Sequence, residues 1–186
     1  MYSRSMKRYV LSHVPMAVVY TLILFGVKSG WHNPWEWLWF GLGVILGVLI
    51  LFLDRVVYTY SYPAEQLSQH FLWYLKQKKY LTALALIDSR RMEQEKLTFR
   101  SALFMVVWGP VAFFALTSTT GLFGKGVVMG LMLHILTDSW RMLKRDPARL
   151  NVRLFWLIKR EVSNEERLVF LWIMTVLFVF LSFWVR

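Results

Sequence analysis

Of the four histidines and eleven acids in this chain, His13, Asp54, His134 and Asp138 are the ones that fall within or at the ends of long apolar runs, where they could hold a metal or move a proton. Two of them lie four apart in the stretch Gly126-Val127-Val128-Met129-Gly130-Leu131-Met132-Leu133-His134-Ile135-Leu136-Thr137-Asp138. On a helix, Gly126, Gly130, His134 and Asp138 share one face of an otherwise apolar segment. Histidine and aspartate one turn apart can ligate the same ion. Two carboxylates with one or two imidazoles suit a hard or borderline dication such as zinc or manganese, which activates water for hydrolysis. A second chemistry competes with this one. His134 can bond a backbone carbonyl, while Asp54 and Asp138 pair with Arg100, Arg55 or Arg141 to neutralise charge in a low dielectric.

The elements that must position these residues are membrane helices. Of 186 residues 57% are apolar, ten are tryptophan, and the mean hydropathy is +0.45, well away from a globular mix. There is no cysteine, so a thiolate metal site and a disulfide framework are both excluded. The formal charge of +11 lies between apolar runs, where membrane topology accounts for it without nucleic acid as a partner. We expect an all-α, polytopic membrane protein: a single integral membrane domain over residues 1–186, with about five transmembrane helices near 9–27, 37–53, 99–116, 122–142 and 168–185. Two amphipathic segments, 56–98 and 143–163, are expected on the cytoplasmic surface, aromatic side in lipid and lysines toward anionic headgroups. Within them, Leu67, Phe71, Leu75, Leu81, Leu84 and Ile87 follow helical spacing. The charged run from Asp88 to Lys96 reads as a soluble connector.

Local signals agree with these boundaries. Asn33-Pro34 starts the second span, Gly109-Pro110 predicts a kink in the third, and Ser163-x-x-Glu166 has the form of a capping box launching the fifth. Nineteen of the 22 lysines and arginines fall in the N-terminal tail and in 55–100 and 141–167, against three on the other side. That asymmetry places the N-terminus in the cytoplasm and the C-terminus outside. It also brings His13, Asp54, Arg100, His134 and Asp138 to the cytoplasmic ends of four spans. Gly43 and Gly47 in span two and Gly126 and Gly130 in span four form two small-residue stripes, each leading toward an acid. If the stripes face each other, Asp54 approaches His134 and Asp138; they could equally face a second copy in a homo-oligomer.

The run Gly126 to Gly130 followed by Leu133-His134-Ile135-Leu136-Thr137-Asp138 resembles the last signature of the LexA-regulated, inner-membrane metal-dependent hydrolases. His13 near the start of span one, Asp54 ending span two, and Asn164-Glu165-Glu166-Arg167 before the final helix match in order. The resemblance implies a site at the inner membrane with His13, Asp54, His134 and Asp138 as metal ligands, and Asp54, His134 and Asp138 in catalysis. The chain departs from that pattern in two places. It has Leu51-Phe52-Leu53-Asp54-Arg55 where the family has Pro-Asp-x-Asp-His, and Thr98-Phe99-Arg100-Ser101-Ala102 where the family has His-Arg-Gly-x-Thr-His-Ser. Arg100 falls either at the family's arginine or at its second histidine. In the latter alignment a guanidinium takes the place of metal charge.

Two functional readings follow. One is a hydrolase with an eroded metal site, acting on a lipid or another interfacial ester at the cytoplasmic leaflet. The other is a non-catalytic membrane protein with Asp54 and Asp138 ion-paired to Arg100, binding lipid or a partner through its basic, aromatic cytoplasmic helices.

Overall fold

Apolar residues recurring at helical spacing, with Asn-Pro, Asp-Pro and Ser-x-x-Glu starts between them, fold into helices alone. The computed structural model describes residues 3–28, 33–91 and 93–185, with side chains from Val14 onward, and no strand occurs among them. The first two helices are α1 (Ser3–Val27) and α2 (Pro34–Ile50). Three shorter ones follow, α3 (Leu53–Ser61), α4 (Gln66–Lys76) and α5 (Tyr80–Ser89). The chain continues as α6 (Ala102–Thr117), α7 (Leu122–Arg145), α8 (Pro147–Phe155) and α9 (Asn164–Ser182). The five expected spans correspond to α1, α2, α6, α7 and α9. Pro34 takes the first turn of α2, and α9 begins with a complete capping box between Ser163 and Glu166. Pro110 lies within the continuous helix α6.

Only Leu51 and Phe52 separate α2 from α3. Together Pro34–Ser61 make a 28-residue helical stretch, among the described residues the one long and apolar enough to cross a membrane by length and composition. Val14–Val27 and Ala102–Thr117 are shorter apolar helices.

At the centre, α2 and α7 run in the same direction with their glycine stripes face to face. A Cβ on Gly43 would stand 2.1 Å from the Phe123 carbonyl oxygen, and one on Gly47 2.2 Å from that of Val127. Reciprocally, Gly126 and Gly130 would meet the carbonyl oxygens of Phe40 and Val44 at 2.3 and 2.1 Å. No side chain fits between these backbones, so glycine is what permits the contact. The four glycines thereby face each other within one chain. Around this pair α7 also packs against α6, α8 and α9. Trp108 Nε1 donates to the Val128 carbonyl at 3.2 Å, Trp140 Nε1 to Thr175 Oγ1 at 3.0 Å, and Tyr20 and Ser182 share a hydroxyl hydrogen bond of 2.9 Å.

In the segment 56–98 the apolar faces turn toward one another. Tyr58, Leu67, Phe71, Ala83, Ile87 and Leu97 form a second, separate core between α3, α4 and α5. Leu67, Phe71 and Ile87 are buried against protein rather than turned to lipid, whereas Leu81 is 81% exposed. The periodicity was right about an apolar face, but three short helices cover one another's faces.

Candidate functional site

At the end of the α2–α7 pair, Asp138 collects two cations. Its Oδ2 accepts from Arg100 Nη1 at 3.0 Å and from Arg153 Nη2 at 2.8 Å. Arg100 is placed by the residue after it: Ser101 caps α6, its hydroxyl accepting from the Phe104 amide at 3.2 Å. Arg153 is placed by α8, which starts at an Asp146 side chain accepting from the Arg149 amide and is anchored by the buried Leu150 and Leu154. Arg153 Nη1 also rests 3.6 Å from Met142 Sδ. Burial, and then the neighbouring Arg100, push the Arg153 guanidinium down to about 10, which leaves it charged at neutral pH.

Asp54 closes the cluster from α3. It is 1% exposed, and its Oδ1 accepts the amide of Phe99 at 3.2 Å, so it holds the backbone that carries Arg100. Arg100 and Arg153 are the cations that act on it. Two guanidiniums and two carboxylates thus meet in a site that is buried at Asp54 and Arg100 and opens to solvent at Asp138, whose side chain is 28% exposed. Asp54 Oδ2, Arg100 Nε and Nη2, and Arg153 Nε are buried without a hydrogen bond among the described residues, so the attraction there is Coulombic rather than through a filled donor set.

His134 is fully buried one turn before Asp138. His13 lies on α1, and its side chain falls outside the described residues. Asp54 and Asp138 are therefore gathered at one end of the molecule as the glycine stripes imply, and Arg100 sits with them. The sequence reading missed Arg153, fifteen residues beyond Asp138 on a helix that reads as an interfacial one. It also missed Asp88, which is buried and bonded at 2.5 Å to Arg55, so the charged connector begins with a core ion pair. In addition, Gln94 is 2% exposed and donates to the Ile87 carbonyl at 2.8 Å.

The metal that the resemblance implies does not fit this donor set. The oxygen a dication would need carries two permanent cations, which would repel it. Among the described residues no three His, Asp or Glu side chains converge on one point. What the cluster does chemically is join α3, the start of α6, α7 and α8 through one balanced charge set. An apolar groove of about 370 Å³ between α1 and α2, lined by Val18, Leu22, Phe25, Trp37 and Leu42, brings no polar chemistry of its own. Comparison with family models, with curated proteins and with solved structures gave no match.

Proposed function

We propose that the chain is a five-span inner-membrane protein, N-terminus in the cytoplasm and C-terminus outside, that works without catalysis. In this reading Asp54, Arg100, Asp138 and Arg153 form a structural lock at the cytoplasmic end of the bundle, and the basic, aromatic surface beyond it binds anionic membrane lipid. The observation that carries the reading is the sharing of Asp138 Oδ2 by two guanidiniums. Lipid as the surrounding solvent is supported by large apolar side chains left bare on the outer helices, among them Leu22 and Ile23 on α1, Phe114 on α6 at 74% and Val176 on α9 at 63%. The parallel course of α2 and α7 supports the order of spans, since both would descend from outside to cytoplasm. The hydrolase reading rests on the His134-x-x-x-Asp138 run, and it requires Asp138 to leave both arginines before it can ligate an ion.

Elemental analysis of detergent-purified protein, without chelator and alongside Asp138→Asn, tests the choice. We expect no stoichiometric zinc or manganese in either protein, and no uptake of added metal. Near-stoichiometric metal that disappears in Asp138→Asn would establish the hydrolase site instead.

A further inference from the structure

The turn between α4 and α5 presents a surface that neither core nor lock employs. Residues Lys76 to Leu81 are all exposed, and they carry Lys76, Lys78 and Lys79 together with Tyr80 at 58% and Leu81 at 81%; Trp73 adds a ring 52% exposed one turn earlier. No acid lies between Gln66 and Ile87. The acids that flank this stretch are engaged elsewhere: Glu65 accepts from the Tyr58 hydroxyl and Asp88 is paired with Arg55. The three lysines therefore meet no counter-charge on their own helices.

The backbone holds them there. Gln77 ends α4, Lys78 takes φ 58°, and its amide bonds the Leu75 carbonyl at 2.9 Å while the Lys79 amide reaches the Tyr74 carbonyl at 3.0 Å. This pair of bonds is the helix-ending motif in which glycine is the usual left-handed residue. A lysine there accepts a conformational cost that glycine would not. It also turns the chain sharply enough to place Lys76, Lys79, Tyr80 and Leu81 on one tip.

We infer that this α4–α5 tip is an anchor for an anionic bilayer surface, Leu81, Tyr80 and Trp73 entering the headgroup region and the three lysines meeting lipid phosphates. The inference rests on the proposed membrane topology, which puts the tip beside the cytoplasmic leaflet. Amphipathic rings with a polar end suit the headgroup layer, and lysine stems lie along apolar surface while their ammonium groups stay in water. An acidic protein would satisfy the lysines, but it would leave an isolated leucine at the tip without the apolar layer that a leaflet supplies. Near an anionic leaflet each lysine is worth about fivefold in the inserted population, on the order of a hundredfold for three.

Because the chain has no cysteine, Leu81→Cys gives a single attachment point for an environment-sensitive fluorophore on the full-length protein. The labelled protein is reconstituted into vesicles of phosphatidylcholine alone or mixed with phosphatidylglycerol, with Val176→Cys labelled in parallel. We expect the residue-81 probe to shift to the blue only in the anionic vesicles, to shift back in high salt, and to lose the shift when Lys76, Lys78 and Lys79 are all changed to Gln. The Val176 probe should read as lipid-embedded in every case. A residue-81 probe that stays aqueous in both vesicles, or is equally blue in both, overturns the anchor while the Val176 probe keeps the membrane reading. An aqueous Val176 probe overturns the topology and the anchor together.

Discussion

At the residue scale, the behaviour of the lock follows from an asymmetry of partners. Asp138 answers two buried guanidiniums, whereas each arginine answers a carboxylate that has another cation. Removing one partner of a buried pair costs about 3–5 kcal/mol because the survivor is left uncompensated. Asp138→Asn strands two cations at once and should lie at the upper end, even with part of the carboxylate open to solvent. Arg100→Met or Arg153→Met leaves Asp138 with one arginine and should cost less. Thermal unfolding in detergent checks the order: Asp138→Asn least stable, the two methionine variants between it and the wild type. Equal losses in all three would mean that Asp138 is not the hub. Sequence alone offers Arg100, Arg55 or Arg141 as partners for the acids, and names Arg100 as the lock for Asp54 and Asp138. Arg100 was legible because it stands at the start of an apolar run. Arg153 was not, because its distance from Asp138 depends on the turn at Asp146-Pro147, and a helix start tells where a helix begins rather than where it goes.

At the element scale, the α2–α7 pair shows how far small-residue spacing can be read. Glycines four apart announce a close backbone approach, and both stripes were visible as such. The partner of each stripe was not, since self-association and intramolecular packing make the same demand on sequence. The distinction lies in the carbonyls: Val44 and Phe40 meet Gly130 and Gly126, and Phe123 and Val127 meet Gly43 and Gly47. An added methyl at Gly130 would meet the backbone of Val44, its oxygen at 2.1 Å and its Cα at 2.7 Å, and backbone cannot step aside as a rotamer can. Gly130→Ala should therefore destabilise by at least the 1–3 kcal/mol typical of overpacking, roughly. Gly26 has nothing within 4 Å of a built Cβ, and Gly26→Ala should be neutral or slightly stabilising through helix propensity. The two variants compared in one denaturation series separate close packing from a general intolerance of alanine. If Gly130→Ala is as stable as the wild type, the helices are not in contact at this point.

At the scale of the whole molecule, two cores meet at the charge cluster, and this decides how damage should spread. The larger core draws on α1, α2, α6, α7, α8 and α9; the smaller one belongs to α3, α4 and α5, and Asp54 stands in the first turn of α3 where the two join. A reading by periodicity placed Phe71 in lipid, where truncation to alanine would be nearly silent. Its 1% exposure places it in the small core instead, where losing a phenylalanine costs about 3–5 kcal/mol. Since that core is separate, the cost should appear first as local opening rather than as global unfolding. Hydrogen exchange on Phe71→Ala in detergent should therefore show lost protection over 53–97 with residues 122–145 still protected. It should also show faster exchange of the Phe99 amide, because that N–H is held by Asp54 and Asp54 moves with α3. Silence throughout would return Phe71 to the lipid. Uniform loss across both regions would mean that the small core and the α2–α7 pair unfold as one unit, with the charge cluster coupling them rather than marking a boundary.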